Sequence, residues 1–212
     1  MRALVLCDDY YHPAQVVRAG LAPLEQRGWT FDWVEHAGGW SPERLRGYPA
    51  VILTKMNHIA ASDTRPWLSE EGQQAFPAYV REGNGLLVIH SGSAGYQDRP
   101  AMRALMGGAF TQHPPQCPVT VEARAGHPLG AGCATFTAVD EHYFMDLDDR
   151  QADVFLTASS EHGAQPAGWT RAEGAGRVCL LTPGHNLEVW LHPSYQAVIE
   201  GGLRWCAGGD AP

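Results

Sequence analysis

The sequence contains a single lysine, Lys55, and no cluster of basic residues. Its formal net charge is −8, because 15 Lys and Arg residues stand against 23 Asp and Glu residues. Binding to nucleic-acid phosphates or to an anionic membrane needs a basic face. The composition therefore argues against both nucleic-acid and membrane partners.

Long apolar runs are also missing, since none approaches the ~20 residues that span a bilayer. The N-terminal residues run directly into a strand pattern, without the features of a signal peptide. The five cysteines are odd in number, and no two have C-x-x-C spacing. These features favour free thiols and a cytoplasmic location.

Short apolar runs alternate with helical patterns, as is typical of a parallel sheet with right-handed crossovers. The predicted class is α/β, with a mostly parallel central sheet and helices on both faces. We expect a single domain over residues 1–208 and a disordered tail over 209–212. Strands are predicted at 3–7, 30–35, 50–54, 86–89, 119–122, 135–139, 153–158, 168–171 and 177–181, and helices at 13–24, from 42, at 69–81 and at 194–205.

Four loops at predicted strand ends carry unusual polar side chains. In an α/β sheet, the carboxyl ends of parallel strands are where ligands and catalysis gather. We therefore expect parts of these loops to meet in one cleft. Their candidate residues are Asp9 and His12 in the first loop, His90 and Ser91 in the second, Asp140, Glu141 and Tyr143 in the third, and His185 and Glu188 in the fourth.

His90, His185 and Glu141 are the candidate ligands of a divalent metal, Zn²⁺ or Mn²⁺, because imidazole and carboxylate groups suit these ions. The same residues, together with Glu188, could instead act as general acids and bases. The H-E-x-x-H motif and Cys/His zinc spacings are absent. No nucleotide cofactor is expected.

Other side chains are candidates for substrate binding, namely Asp9, His12, Ser91, Asp140, Tyr143 and Trp190. His12 could equally be a surface histidine of the loop before the first helix. Tyr143 and Trp190 are aromatic residues close to the candidate site and could stack on a sugar ring. His36, His58, His113, His127 and His162 lie in polar loops and are expected to be solvated, whereas His192 is expected to start the last helix.

A serine nucleophile is an alternative to the metal. Ser93 lies in Gly92-Ser93-Ala94-Gly95 directly after a strand, which is similar to a nucleophile elbow. Ser91 stands where the G-x-S-x-G motif has its first glycine. A triad of Ser93, His185 and Glu188 would make the protein a serine hydrolase.

Several sequence blocks resemble the ThuA-like (trehalose utilisation) family. They are the segment from Asp140 to Asp146, the segment from Gly184 to Gln196, the Gly168-Trp169-Thr170-Arg171 run, and the predicted strand that leads into His90 and Ser91. The resemblance implies a flavodoxin-like fold of the class I glutamine amidotransferase type. It also implies a role in bacterial carbohydrate catabolism, with a small carbohydrate as the partner.

Glutamine amidotransferases of this fold carry a cysteine at the elbow after the central strand, and a histidine completes the triad. This chain has no cysteine at the corresponding positions 90–93. Thiolate-dependent glutamine hydrolysis is therefore excluded. His185 matches the family's triad histidine, so the resemblance implies a retained site with altered chemistry. A non-catalytic sugar-binding or regulatory protein is the remaining alternative, and a homodimer is expected from general frequencies.

Overall fold

The computed structural model describes residues 1–148 and 152–209. Within these ranges the chain forms eleven strands and six α-helices. The strands are β1 (Arg2–Cys7), β2 (Thr30–Val34), β3 (Ala50–Thr54), β4 (Gly85–Ile89), β5 (Gly108–Gln112), β6 (Cys117–Ala123), β7 (Phe136–Asp140), β8 (Phe144–Leu147), β9 (Asp153–Ser160), β10 (Gly163–Glu173) and β11 (Gly176–Leu181). The helices are α1 (Ala14–Glu25), α2 (Pro42–Leu45), α3 (Ala75–Arg81), α4 (Pro100–Met106), α5 (Leu187–Leu191) and α6 (Pro193–Cys206).

Nine of the strands form one sheet in the order β2-β1-β3-β4-β11-β10-β9-β6-β7. The first five are parallel to one another, and each later neighbour is antiparallel. Strands β5 and β8 pair separately. The predicted α/β class with a large central sheet is thus confirmed, and the late strands extend that sheet in antiparallel fashion.

The apolar run of β1 has a core on each side because helices cover both faces of the sheet. Ala3 and Val5 belong to the cluster that contains buried residues of α1 and α6. Leu4 and Leu6 belong to the cluster that contains buried residues of α3 and α4. Successive side chains of a strand point to opposite faces, so a strand covered on both faces reads as continuously apolar.

The sequence prediction was wrong about the start of the third helix. The predicted helix 69–81 begins only at Ala75, after a 3-10 turn at Gly72–Gln74. The hydroxyl of Ser69 accepts a hydrogen bond from the backbone N–H of Gly72, the first residue of that turn. Helices α4 and α5 and strands β5 and β8 were missed, because each has only four to seven residues and offers little periodicity.

The described residues also bear on the tail, the thiols and the membrane. The N–H of Gly209 donates to the carbonyl of Arg204, while the rest of the predicted tail, 210–212, lies outside the described residues. All five cysteines are free. In the described part of the chain, no helix has both the length and the apolar character that crossing a bilayer requires.

Strand direction sets which loops share an edge. Because β7 is separated from β11 by three alternating antiparallel neighbours, it runs in the same direction as β1, β4 and β11. Four steps of a flat sheet would place β7 about 19 Å from β11. The carboxylate of Asp140 at the end of β7 nevertheless accepts a hydrogen bond from Gly184, just after β11. The antiparallel half of the sheet therefore curls back over the carboxyl edge of the parallel half.

Gly85 allows the last helix to pack against the start of β4. A Cβ atom at this position would lie 2.0 Å from the carbonyl oxygen of Cys206, which is backbone and cannot rotate away. We expect Gly85→Ala to lower the free energy of unfolding by about 1–3 kcal/mol, as overpacking does. Gly47→Ala is the matched control, because its Cβ would lie 3.4 Å from the carbonyl oxygen of Arg44. Urea unfolding of both variants tests this, and equal stability would contradict it.

Candidate metal centre

Three histidines and one glutamate converge at the carboxyl edge of the sheet. His12 follows β1, His90 follows β4, Glu141 follows β7 and His185 follows β11. One potential ligand atom from each lies within 4.8 Å of every other. The structure thus brings together the three ligands predicted from the sequence, His90, Glu141 and His185, and adds His12, which was expected to bind substrate or to lie on the surface.

His12 is held by the carboxylate of Asp9. Its Nδ1 lies 2.7 Å from Asp9 Oδ1, which also accepts the backbone N–H groups of Tyr11 and His12. The other oxygen of Asp9 accepts from Met56 N. A carboxylate at Nδ1 fixes the proton there and leaves the lone pair of Nε2 directed away from Asp9, as outer partners of metal-bound histidines do. Asp9, predicted to bind substrate, is fully buried and instead orients His12.

His90 occupies a strained backbone position. Its φ is +47°, in the left-handed region that residues other than glycine rarely adopt. Its Nδ1 lies 2.7 Å from the carbonyl oxygen of Thr182, so Nδ1 carries the proton and Nε2 is free to act as a ligand. The ring stacks on Tyr143 with centroids 4.1 Å apart. The corner where β4 passes into the following turn thus presents the imidazole of His90.

Gly92 completes that corner. A Cβ atom at residue 92 would lie 2.0 Å from the carbonyl oxygen of Leu53, in the neighbouring strand β3. In a nucleophile elbow, the reactive residue sits at the strained turn and a glycine follows two residues later. His90 and Gly92 have this relation, so the residue at the elbow is His90 rather than Ser93.

His185 is positioned by Asp140. The carboxylate of Asp140 accepts hydrogen bonds from three consecutive backbone N–H groups, those of Gly184, His185 and Asn186, at 2.8, 2.9 and 3.3 Å. Asp140 is 2% exposed. This residue was predicted to bind substrate, but its carboxylate is engaged in holding the turn that carries His185.

Glu141 is the centre of the cluster. Its carboxylate oxygens lie 3.4 Å from His90 Nε2 and 3.1 Å from His185 Nδ1. Burial alone would raise the pKa of Glu141, but the neighbouring His185 and His90 imidazoles outweigh burial and hold the pKa well below its ordinary value. The contact with Glu141 raises the pKa of His185. Burial lowers the pKa of His12 in spite of Asp9.

Three ring nitrogens of the cluster lack a hydrogen-bond partner among the described residues, namely Nε2 of His12, Nε2 of His90 and Nδ1 of His185. The two short contacts with Glu141 do not have hydrogen-bond geometry. Each unpartnered buried polar atom costs about 1–3 kcal/mol, so three in one place call for a ligand. Nitrogen and carboxylate donors that lie within 4.8 Å of one another fit a divalent transition metal ion.

Four further candidates from the sequence do not join the cluster. Trp190 is 1% exposed in the core, and its Nε1 donates to the carbonyl of Gly184, so no face of its ring is open to a sugar. Ser91 is fully buried. Ser93 is also buried and donates its hydroxyl to the carbonyl of His90. Glu188 is exposed on α5, and no hydrogen bond or ion pair between described residues links it to His185.

The Ser93, His185 and Glu188 triad is therefore not assembled. The hydroxyl of Ser93 is committed to backbone, and the imidazole of His185 faces Glu141 instead of Glu188. A serine hydrolase has its nucleophilic serine at the corner of the elbow, whereas this chain has His90 there. The geometry thus overturns this alternative.

His113 was expected to be solvated, but it lies beside the cluster. Its Nε2 is 3.6 Å from an oxygen of Glu141, and its Nδ1 is 2.8 Å from the carbonyl oxygen of Pro114. Its side chain remains 34% exposed. Nothing in the sequence distinguishes His113 from other loop histidines, since it follows β5, a strand that the sequence pattern does not reveal.

A pocket of about 330 Å³ opens beside the cluster, and His12, His113, Glu141 and Tyr143 are among its lining residues. A larger groove of about 500 Å³ lies elsewhere, beside Arg124 and Asp153. The charged side chains of that groove are already paired, at 2.7 Å. The smaller pocket, by contrast, is lined by His12, whose Nε2 lacks a hydrogen-bond partner among the described residues.

The sheet order and the helices on both faces define a flavodoxin-like α/β protein. The sequence model of the trehalose utilisation (ThuA) family matches residues 2–206. The chain belongs to this family, as the sequence blocks indicated. No curated protein matches the chain.

Solved structures share the fold. A ThuA-like protein from Parabacteroides merdae superposes with a TM-score of 0.77 at 19% identity, covering 100% of this chain and 91% of that one. A ThuA-like protein from Bacteroides uniformis gives 0.76 at 18%, with coverage of 100% and 94%. A cytoplasmic protein from Salmonella typhimurium gives 0.70 at 13%, with coverage of 96% and 98%. At these identities the likeness concerns the fold alone.

Removing the carboxylate of Asp140 should loosen the turn that carries His185. We expect Asp140→Ala to lower the free energy of unfolding by at least about 2 kcal/mol, because buried amide donors lose their acceptor. The exposed neighbour variant Glu188→Ala should stay within ~0.5 kcal/mol of the parent. Urea unfolding in the presence of EDTA separates this effect from metal binding. An Asp140→Ala protein as stable as the Glu188→Ala protein would show that the contact does not hold the turn.

Proposed function

We propose that this protein is a metal-dependent enzyme of carbohydrate metabolism that acts on a keto-sugar or a related glycoside in the cytoplasm. The observation that supports this most strongly is the convergence of three unpartnered imidazole nitrogens and a carboxylate beside an open pocket. Membership of the trehalose utilisation family supports carbohydrate as the substrate.

The residues that would hold the ion are His12, His90, Glu141 and His185. Mg²⁺ and Ca²⁺ prefer oxygen ligands, whereas a set of three imidazoles and one carboxylate suits Mn²⁺ or Zn²⁺. Four protein ligands fill the coordination shell of tetrahedral Zn²⁺, but they leave positions open on a six-coordinate ion such as Mn²⁺. We therefore favour Mn²⁺. When bound, such an ion polarises a carbonyl oxygen as a Lewis acid.

His113 is the side chain best placed to move a proton. Its Nδ1–H donates to the carbonyl of Pro114, so Nε2 is the ring nitrogen available to accept a proton from the neutral imidazole's surroundings. It lines the pocket and is not one of the four ligands. We assign it as the general base that takes a proton from the carbon next to the substrate carbonyl.

Glycosidic cleavage can follow from that proton transfer. The C–H bond breaks and its proton moves to Nε2 of His113, while the electron pair forms a carbon–carbon double bond. When the glycosidic oxygen lies on the next carbon, the double bond forms to that carbon and the C–O bond breaks. Its electron pair leaves with the oxygen, which takes the proton back from Nε2 of His113. The products are an unsaturated keto-sugar and a free alcohol or sugar.

The metal assignment predicts specific binding of Mn²⁺. We expect calorimetric titration with MnCl₂ to give one site per chain, and His185→Ala to weaken it by at least about 10–100-fold, the loss seen even for outer-shell partners. His162→Ala is the matched control, because this loop histidine is outside the cluster. Absence of stoichiometric binding of both Mn²⁺ and Zn²⁺ by the parent protein would refute the metal centre.

The role of His113 predicts a separation of metal binding from turnover. In His113→Gln, the turnover of keto-trehalose should fall by about 10²–10⁴-fold, as for the loss of a general base, with Mn²⁺ affinity unchanged. The assay is product formation by chromatography, with trehalose, which lacks the carbonyl group, as the negative control. Full activity in this variant would contradict the assignment, and binding without any turnover in the parent would indicate a sugar-binding protein.

A further inference from the structure

The single lysine of the sequence is buried at the carboxyl edge of the sheet. Lys55 follows directly after β3 and is 1% exposed. Every other basic residue among the 15 Lys and Arg is an arginine. An ammonium group is a compact charge with three donors, whereas a guanidinium is a larger planar fork. A closed site for one compact positive charge therefore fits the lysine at this position in a chain that otherwise uses arginine.

The ammonium group of Lys55 joins two loops. Its Nζ donates to the carbonyl oxygens of Glu35 and Ile59, each at 3.0 Å. Glu35 follows β2, and Ile59 lies in segment 56–61, which follows Lys55. The carbonyl of Ile59 also accepts from the backbone N–H of Ala37. These hydrogen bonds fix the path of segment 56–61 against the neighbouring loop.

This segment presents backbone N–H groups to two adjacent carboxylates. Met56 N lies 3.0 Å from Asp9 Oδ2, and Ala61 N lies 3.1 Å from Asp8 Oδ2. Asp8 has a φ of +74°, in the left-handed region that favours glycine. The contacts thus hold a strained backbone position directly before Asp9. The placement of Asp9 therefore depends on the segment that Lys55 holds.

The positive charge of Lys55 also acts on the two carboxylates. Asp8 and Asp9 are adjacent, and Asp9 is fully buried. Burying a charge is costly unless an opposite charge lies near it. Burial lowers the pKa of Lys55, and the neighbouring Cys7, Asp9 and Asp8 oppose that lowering. The lysine and the two aspartates therefore stabilise each other's charged forms.

Asp9 transmits this placement to the imidazole of His12. Asp9 Oδ1 lies 2.7 Å from Nδ1 of His12, which leaves Nε2 as the nitrogen available to a metal ion. Without the carboxylate in place, the proton could occupy either ring nitrogen. The orientation of one candidate ligand thus depends on a lysine whose own hydrogen bonds go to two backbone carbonyls.

We propose that Lys55 is a positioning residue for His12, acting through segment 56–61 and the carboxylate of Asp9. The effect on Mn²⁺ binding rests on the proposed function, whereas the state of the imidazole can be measured without any metal. Asp9 is the outer partner of His12, and Lys55 acts one step further out.

The metal-free protein allows the first test, by long-range ¹H–¹⁵N spectra of the imidazoles. We expect His12 of the parent, identified by comparison with His12→Ala, to carry its proton on Nδ1. In Lys55→Met, which keeps the side-chain length without charge or donors, His12 should become a mixture of both tautomers. His90 is held by the carbonyl of Thr182 and should keep its signals. Identical His12 signals in the parent and Lys55→Met would overturn the proposal.

A double-mutant cycle gives the second test. Calorimetric titration with MnCl₂ should show binding weakened by about tenfold in Lys55→Met, at the lower end of the effect of outer partners. In the His12→Ala background, the same substitution should change the affinity by less than about twofold, because its effect passes through His12. Equal weakening in both backgrounds would indicate a role in folding alone and would contradict the proposal.

Tyr79→Phe is the control for a general loss of stability. The buried hydroxyl of Tyr79 donates to the carbonyls of Tyr48 and Gly85, at the opposite end of the sheet from the cluster. This variant should lose stability and yet keep the Mn²⁺ affinity within about twofold, as expected for distant sites. A tenfold loss here as well would remove the evidence for a specific path from Lys55.

The unaltered protein supplies a third measurement, which decides the matter if Lys55→Met does not fold. Because Lys55 is the only lysine, protein labelled with ¹⁵N-lysine gives one Nζ signal. We expect a protonated ammonium with slow hydrogen exchange at neutral pH. The signal of a neutral amine, or exchange as fast as that of free lysine, would overturn the proposal.

The outcomes separate this proposal from the proposed function. A parent protein that binds neither Mn²⁺ nor Zn²⁺, with the expected change at His12 in Lys55→Met, would remove the metal centre and leave the positioning role. Stoichiometric Mn²⁺ binding with unchanged His12 signals and unchanged affinity in Lys55→Met would remove only the role of Lys55.

Discussion

The carboxylate of Asp140 connects the two halves of the molecule, and the geometry of the cluster depends on it. Asp140 ends the last antiparallel strand of the sheet, and the amides that it binds follow the last parallel strand. Glu141 is the residue after Asp140, and His185 is one of the residues whose amides Asp140 binds. The contact therefore places the carboxylate of Glu141 beside the imidazole of His185. This link ties the antiparallel extension of the sheet to the carboxyl edge of the parallel half.

A second constraint acts within the cluster. The carboxylate of Asp9 holds the proton of His12 on Nδ1, and the carbonyl of Thr182 does the same for His90. The imidazole rings of His12, His90 and His185 have centroids 5.0 to 5.7 Å apart. In His12 and His90, the partner at Nδ1 fixes the direction of the lone pair on Nε2. A preorganised set of metal ligands requires lone pairs with fixed directions. The arrangement leaves three ring nitrogens without partners among the described residues, and one bound cation would satisfy all three together.

The sequence revealed the fold and part of the site for physical reasons that can be named. Strand β3 was predicted with its observed bounds because its five buried residues, four of them apolar, are covered on both faces. His90 and His185 were found because a buried strand ends directly before each loop. His113 and the binding of Asp140 to backbone could not be found, since both depend on the curl of the antiparallel half, which no local pattern encodes. Trp190 was misjudged because closeness in sequence to His185 does not indicate which way a helical side chain points.

The corner at His90 has a wider consequence. The sharp turn after β4, where His90 has a φ of +47°, presents whichever side chain occupies that position. With a thiol there, the same corner would present a nucleophile for covalent catalysis; with an imidazole, it presents a candidate metal ligand. The chemistry that this corner offers thus depends on the one side chain it carries, while the sheet, the turn and the glycine beneath it stay as they are.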